Sequence, residues 1–257
     1  MSTLLQFRRV SFLSIEFKSV FLNRRVRVDL YLLKGLRNRF FPLPWRCLIF
    51  NDGQDLKRMN FLTKVVPLFY RRKIQPMIII GLHASDRLKE YGTINRPDYL
   101  GRGAKAASYA KFITKELFPF LKKTYRLSEQ KGAHSIAGFS LGGLSAFDLA
   151  WHYPQLFGQV GVFSGSLWWR SSPFDEDKPD DDLIVPNYVS ASKSIPKQRY
   201  WFQAGTHDES SDRNGNGIID AIDDTLILMR ALQEKGVEIL LIMKWKEALT
   251  IPKPGVK

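Results

Sequence analysis

The sequence predicts an α/β protein with a mostly parallel central sheet and helices on both faces. Strand-like apolar runs alternate with segments of helical periodicity along most of the chain, the pattern of strands joined by crossover helices. The first two strand-like runs flank a turn residue, Asn23, and predict an antiparallel pair ahead of the parallel strands. No repeat or low-complexity linker interrupts the 257 residues, so residues 1–257 are predicted to form a single domain.

The individual elements follow from periodicity and from turn residues. Strands are predicted where short runs alternate or are continuously apolar and end at Gly, Asn or Asp. The predicted strands are residues 10–17, 26–33, 47–50, 77–82, 135–139, 160–163, 200–204 and 238–243. Helices are predicted where apolar residues recur every three or four positions. The predicted helices are residues 61–70, 104–125, 144–153 and 218–235.

The chain is strongly basic, and its charge is unevenly distributed. Lys and Arg total 39 against 25 Asp and Glu, a net charge of +14. The cations crowd the first third of the chain, whereas residues 175–182 are acidic. No cluster combines bases with aromatic residues as nucleic-acid modules do, so a solvated basic face is favoured and nucleic acid is not an expected partner.

Other composition signals narrow the class of protein further. The one cysteine, Cys47, excludes an intrachain disulfide and a multi-cysteine zinc site. No apolar stretch reaches membrane-spanning length, and the N-terminus does not match a signal peptide. We therefore expect a cytoplasmic protein without a membrane partner. The oligomeric state is not predicted by any feature of the sequence.

The strongest chemical motif is a serine in a glycine-rich turn. Gly138-Phe139-Ser140-Leu141-Gly142 leaves a predicted strand and enters a predicted helix. This is the context in which a serine hydroxyl is exposed as a nucleophile at a sharp corner, and the glycines remove bulk that the corner cannot accommodate. The amides at the start of the helix would face the anion formed on the substrate, so the Leu141 N–H is a predicted oxyanion donor.

Several further motifs make the resemblance specific. The run Ala137-Gly138-Phe139-Ser140-Leu141-Gly142-Gly143-Leu144-Ser145-Ala146 resembles the enterochelin esterase-like branch of the α/β-hydrolases, also called the putative esterase family. Other matches follow in family order: Asn51-Asp52-Gly53-Gln54, Arg87 with Glu90-Tyr91-Gly92, Ser164-Gly165-Ser166-Leu167-Trp168-Trp169, and Ala204-Gly205-Thr206-His207-Asp208-Glu209. Together they cover about residues 25–240. The resemblance implies a single α/β-hydrolase domain that cleaves a small-molecule carboxylic ester or thioester through a Ser-Asp-His triad and requires no cofactor.

The resemblance also implies roles for individual residues. Ser140 matches the nucleophile and Asp208 the acid, with Glu209 as the competing choice. The N–H of Gln54 or Gly53 would be the second oxyanion donor. The expected substrate-binding residues are Trp168, Trp169, Glu90 and Tyr91, although paired tryptophans are as often part of a core.

The triad histidine of the family has no counterpart in this sequence. The family places it in a Gly-Gly-x-His turn after the last strand, but no histidine follows His207 here. Of the four histidines, His134 and His152 are expected far from Ser140, the latter about 18 Å along its helix. His83 precedes Ser140 in the chain, against the family order, and His207 adjoins the predicted acid. A structural or surface role is favoured for each.

The tail, residues 243–257, departs abruptly from the family pattern. With synonymous codons chosen freely, a reading frame shifted within residues 242–257 can spell YEVEGGTHNTKTWSK, which restores a Gly-Gly-x-His turn. We therefore hypothesise a frame shift that removes the histidine-bearing turn and the final helix. Serine without its general base loses several orders of magnitude in turnover. The chain is predicted to be an impaired esterase or, alternatively, a catalytically dead hydrolase-fold protein that binds a ligand or partner.

One loop has the spacing of calcium ligands. Oxygen-bearing side chains fall at positions one, three, five, nine and twelve, with glycine at six, as in an EF-hand-type loop. The predicted ligands are Asp212, Asn214, Asn216, Asp220 and Asp223. An Asn-Gly turn followed by a helix cap at Asp220 explains the same residues without a metal.

Overall fold

A computed structural model describes residues 10–33, 44–237 and 239–241. Its eight strands form one sheet in the order β1-β2-β4-β3-β5-β6-β7-β8. The strands are β1 (Val10–Ser19), β2 (Arg24–Leu33), β3 (Arg46–Asn51), β4 (Met77–Leu82), β5 (His134–Phe139), β6 (Phe157–Phe163), β7 (Arg199–Gln203) and β8 (Ile239–Leu241). β1 pairs with β2, and β2 with β4, in antiparallel register; every other pairing is parallel. The predicted mostly parallel sheet with an antiparallel start is confirmed.

The helices lie between the parallel strands. They are α1 (Phe61–Tyr70), α2 (Arg87–Glu90), α3 (Ala106–Lys111), α4 (Phe118–Tyr125), α5 (Leu141–His152), α6 (Ile184–Ala191) and α7 (Asp220–Glu234). A π-helical segment, Phe112–Leu117, joins α3 to α4 within the stretch that was predicted as one helix. A 3-10 turn, Gly53–Asp55, follows β3.

The centre of the sheet is buried on both faces, as the continuously apolar strand β4 predicts. Ile78 and Ile80 of β4 belong to the larger core cluster, whereas Ile79 belongs to a second cluster on the opposite side. Because successive strand residues point to opposite faces, the two clusters lie on the two sides of the sheet. Val66 and Phe69 of α1 cover the second cluster, while α5 packs into the first.

The helices differ from the sequence prediction in one boundary and in two additional elements. α5 begins at Leu141 and not at residue 144, because the glycines of the turn are themselves helical. α2 and α6 were not predicted; α2 is a single turn, too short for a periodicity signal. The predicted tail of residues 243–257 lies outside the described residues. No helix among the described ranges is long and apolar enough to cross a membrane.

Candidate active site

Ser140 stands at a sharp corner between β5 and α5. Its backbone has φ 53° and ψ −125°, a region that a residue with a side chain occupies only when the surrounding structure enforces it. Gly138 makes the corner possible, because a Cβ there would lie 2.4 Å from the carbonyl carbon of Gly142. Ser140 is exposed. The strand, the corner and the helix predicted for this motif are therefore all present.

The backbone and side chain of Ser140 are tied to the loop after β6. Its N–H donates to the carbonyl of Phe163 at 3.0 Å, and its own carbonyl accepts from the N–H of Ser166 at 3.1 Å. The hydroxyls of Ser140 and Ser166 lie 3.1 Å apart. Ser166 belongs to a motif of the family resemblance, but the sequence predicts no role for it. Its contact with the serine depends on the approach of two loops that are 26 residues apart.

The predicted oxyanion donors are backbone amides at the starts of two helical segments. The Leu141 N–H occupies the first position of α5, where a helical N–H has no carbonyl partner within the helix. Gly53 and Gln54 open the 3-10 turn after β3, where the same geometry leaves their N–H groups unpaired within the turn. Asn51 links the two segments, since its Nδ2 donates to the carbonyl of Gly142 at 2.8 Å. The predicted donors thus belong to two segments that a buried hydrogen bond holds side by side.

Residues 52–55 follow β3 and form the β3 loop. Gly53 packs so closely on β4 that a Cβ would lie 2.4 Å from the carbonyl carbon of Gly81. Asp52 has φ 59° and a buried side chain. Its Oδ1 accepts from Arg87 Nε at 2.8 Å, and its N–H donates to the Tyr91 hydroxyl at 2.9 Å. Sequence reasoning assigned no role to Asp52 or Arg87, because their proximity arises only when the loop folds against α2.

Asp208 follows β7, as predicted, but it is exposed and not buried. Its Oδ2 accepts from the Ser164 hydroxyl at 2.6 Å and from the Gly205 N–H at 2.7 Å. Ser164 lies in the same loop as Ser166, so this carboxylate and Ser140 contact opposite ends of one three-residue segment. Glu209 is also exposed.

Three of the four histidines are hydrogen-bonded away from Ser140. His83 Nε2 lies 2.8 Å from Asp29 Oδ2. His134 Nδ1 accepts from the Cys47 N–H at 3.2 Å, and burial lowers the pKa of its imidazole. His152 Nδ1 lies 2.8 Å from the carbonyl of Asp148. His207 is exposed beside Asp208. Within the described part of the chain, no histidine is hydrogen-bonded to Ser140.

The four predicted substrate-binding residues fall into two groups. Trp168 is half-buried, with the guanidinium carbon of Arg102 4.6 Å from its ring centre. Trp169 is fully buried and packs on Gly92 and Gly103. Tyr91 is also fully buried, and Glu90 is buried in an ion pair with Arg24 at 2.6 Å. Trp169, Glu90 and Tyr91 are therefore buried around the site, and their role in substrate binding stays a prediction.

The predicted calcium loop is closed by its own hydrogen bonds. Asp212 accepts from the N–H groups of Asn216 and Gly217, and Asp223 Oδ2 accepts from the side-chain amides of Asn214 (2.9 Å) and Asn216 (3.0 Å). Asp220 accepts from the Arg213 N–H at 3.0 Å instead of facing the other oxygens. Among the described residues, no group of three or more His, Cys, Asp or Glu side chains is arranged to hold a metal ion.

Sequence comparisons place the chain among esterases. The model of the family described as Putative esterase matches residues 19–234. Protein YjcH of Bacillus subtilis strain 168 is 27% identical over 217 residues, which are 84% of this chain and 82% of YjcH. The iron(III) enterobactin esterase of Escherichia coli O6:H1 is 32% identical over 119 residues, which are 46% of this chain but only 28% of that protein.

Structural comparisons agree on the fold. The enterobactin esterase of Shigella flexneri, crystallised in the presence of enterobactin, superposes with a TM-score of 0.71 at 21% identity and covers 91% of this chain. The chain spans only 53% of that esterase. A ferulic acid esterase superposes with a TM-score of 0.67 at 17% identity. The superposition covers 93% of this chain and 92% of the ferulic acid esterase. Because the family match extends over most of the chain, this protein belongs to the putative esterase family of α/β-hydrolases and is by family a carboxylic-ester hydrolase.

Proposed function

We propose that this protein is a serine esterase whose nucleophile is Ser140, and that its turnover is impaired by the lack of a histidine base. The observation that carries the proposal is the backbone of Ser140, held at φ 53° in a corner where Gly138 leaves no room for a side chain. Such strain in an exposed serine between a strand and a helix is the mark of a hydrolase nucleophile.

The chemistry proposed is acyl transfer in two steps. The Ser140 oxygen attacks the carbonyl carbon of the ester and the carbonyl oxygen becomes an anion. The C–O bond to the alcohol then breaks, and the alcohol leaves with the proton that Ser140 loses. The N–H groups of Leu141 and of Gly53 or Gln54 would stabilise that anion. Water then attacks the acyl-serine, and the acid is released as Ser140 regains its proton.

The proton acceptor is the weak part of this machinery. The Ser140 hydroxyl has Ser166 as its neighbour at 3.1 Å, and a second hydroxyl is a poor base at neutral pH. Asp208, the proposed acid, is hydrogen-bonded to Ser164. Attack by Ser140 without a base is expected to be slower by several orders of magnitude. The coding DNA downstream of residue 241 tests the frame-shift hypothesis directly.

A small carboxylic ester or thioester is the substrate we propose. Two of the similar proteins are an iron(III) enterobactin esterase and a ferulic acid esterase. Because the chain spans only 28% of that enterobactin esterase and 53% of the one from Shigella flexneri, enterobactin is not assigned to it as a substrate. The half-buried Trp168 with the stacked Arg102 offers a flat, partly apolar wall beside the Ser164–Ser166 segment.

A second candidate is a catalytically dead hydrolase-fold protein that binds a ligand or partner in the same cleft. The hydrogen bonds of His83, His134 and His152 to groups other than Ser140 favour this reading. It predicts ligand binding without release of product.

A fluorophosphonate probe separates the two candidates. The probe forms a P–O bond to the serine oxygen as the P–F bond breaks, and fluoride and the hydroxyl proton pass to solvent. An esterase is expected to label at Ser140 and to release p-nitrophenol slowly from a short p-nitrophenyl ester. Ser140→Ala should abolish both signals, with Ser135→Ala, a serine on the strand that leads to Ser140, as the control. A wild-type protein that is unlabelled after prolonged incubation would contradict the esterase proposal.

A further inference from the structure

The β3 loop is held from two sides through Asp52. The Tyr91 hydroxyl accepts the Asp52 N–H at 2.9 Å, and Arg87 Nε donates to Asp52 Oδ1 at 2.8 Å. Gln54 Nε2 donates to the same oxygen at 2.9 Å. Since Asp52 has a left-handed backbone (φ 59°) immediately before Gly53 and Gln54, these bonds set the direction in which the next two N–H groups point.

The other carboxylate oxygen of Asp52 lies against the corner that carries Ser140. Asp52 Oδ2 is 3.0 Å from the position that a Cβ on Gly142 would occupy. The Asp52 side chain is only 6% exposed, so water screens its charge poorly. An uncompensated negative charge here would oppose the formation of a second negative charge on a substrate oxygen at the Leu141 N–H.

The two partners come from one rigid element. Arg87 lies in α2 and Tyr91 is the residue that ends it. Glu90 of the same turn forms a buried ion pair with Arg24 of β2, and Tyr91 packs edge-on against Tyr109 at 5.4 Å between ring centres. The Arg87 guanidinium carbon lies 5.8 Å from the Tyr91 ring centre. α2 is therefore anchored on the sheet independently of the β3 loop that it contacts.

We propose that Arg87 and Tyr91 are positioning residues for the oxyanion site, acting through Asp52, a proposal that rests on Ser140 being the nucleophile. Tyr91 fixes the backbone of the β3 loop, so that the Gly53 and Gln54 N–H groups stay directed at the site. Arg87 neutralises the Asp52 carboxylate, so that the site remains favourable for an anion. Neither side chain contacts the reacting atoms. Arg87 thus acts on charge and Tyr91 on geometry.

The test is the second-order rate constant of fluorophosphonate labelling at Ser140, because the phosphoryl oxygen occupies the oxyanion site during the reaction. Arg87→Gln is expected to lower this rate about tenfold, an estimate for the loss of one charge interaction. The double variant Asp52→Asn with Arg87→Gln is expected to recover most of the loss, since it removes the uncompensated charge and Asn tolerates the left-handed backbone. Lys122→Gln, which breaks the exposed pair with Glu129 outside the β3 loop, is the control and should be unchanged.

Tyr91→Phe is expected to slow labelling about tenfold and to speed hydrogen exchange of the amides in residues 52–55, because the Asp52 N–H loses its acceptor. Tyr200→Phe, which removes another buried hydroxyl, is the control and should leave both measurements unchanged. Melting temperatures of all variants identify general unfolding, and exchange in residues 52–55 is read against the rest of the chain.

The outcomes are distinct. A single Arg87→Gln variant that labels like the wild type overturns the charge role, and a double variant as slow as the single variant points to direct substrate contact by Arg87 and also overturns it. Unchanged exchange in Tyr91→Phe overturns the geometric role. Wild-type protein that does not label overturns the proposed function and, with it, the assignment of an oxyanion site, whereas normal wild-type labelling with unaffected variants overturns only the positioning inference.

Discussion

The Ser164 hydroxyl donates a 2.6 Å hydrogen bond to Oδ2 of Asp208, the carboxylate proposed as the acid. Two residues further along, Ser166 contacts the Ser140 hydroxyl and carbonyl. One short segment therefore joins the proposed nucleophile to the proposed acid, and it does so through hydroxyl groups. In a complete triad an imidazole would make both contacts.

This arrangement predicts chemical rescue by imidazole. Added imidazole should speed p-nitrophenyl ester hydrolysis by the wild type several-fold more than by Ser140→Ala, because a neutral imidazole can act as the proton acceptor that the proposed mechanism lacks. The Ser140→Ala variant corrects for direct attack of imidazole on the ester. Asp208→Asn should reduce the rescue, since the carboxylate would stabilise the imidazolium that forms. Equal acceleration in all three proteins would contradict this prediction.

The corner at Ser140 predicts a large effect of one methyl group. Gly138→Ala should destabilise the protein by about 1–3 kcal/mol and abolish probe labelling, because the new Cβ would lie 2.4 Å from the Gly142 carbonyl carbon and the corner must open. Urea denaturation measures the stability. Gly101→Ala is the control: its positive φ of 77° makes an alanine strained there, but open space surrounds its Cβ. Labelling should survive in the control.

A buried carboxylate in α5 predicts a pH dependence of stability. Burial raises the pKa of Asp148 to about 6, although its Oδ2 accepts the Ile94 N–H at 2.7 Å. A carboxyl whose folded pKa exceeds the unfolded value favours folding when protonated, so its contribution is full below the unfolded pKa and is lost as the pH rises towards about 6. Asp148→Asn, which keeps an acceptor for Ile94, should therefore become more stable than the wild type by roughly 1–3 kcal/mol above that pH.

Urea denaturation of both proteins checks this expectation, at several pH values from the unfolded pKa of Asp148 to well above its folded pKa. The stability difference should grow as the pH rises and then level off. A difference that is constant over the whole range would show that Asp148 does not titrate in this window, and one that shrinks would reverse the sign of the assignment.

The calcium loop stays a prediction that calorimetry can test. If Asp212, Asn214, Asn216, Asp220 and Asp223 bind Ca²⁺, titration should give a saturable heat, and chelation should lower the melting temperature. Binding requires the amides of Asn214 and Asn216 to turn their oxygens inward from their present bonds to Asp223. Asp212→Ala should remove the heat, while Asp177→Ala in the acidic stretch should not. A melting temperature and a heat that do not respond to calcium would remove the prediction.

Local patterns account for most of the sheet and for the Ser140 corner. Apolar runs predicted the strands whose two faces are both covered. Alternation predicted the strands that have one covered face and one solvated face. The glycines at 138 and 142 predicted the corner because their effect is steric and involves neighbours in the chain. By contrast, α2 has four residues and carries no periodic signal.

The sequence by itself determined the fold class, the family and the place of Ser140 between a strand and a helix, because these depend on periodicity and on contiguous motifs. Only the tertiary structure decided that Tyr91 and Glu90 are buried supports, that Asp208 is exposed beside Ser164, and that Arg87 pairs with Asp52. Those facts depend on contacts between residues that are distant in the chain. Burial and charge pairing at such contacts arise from packing, which no single segment encodes.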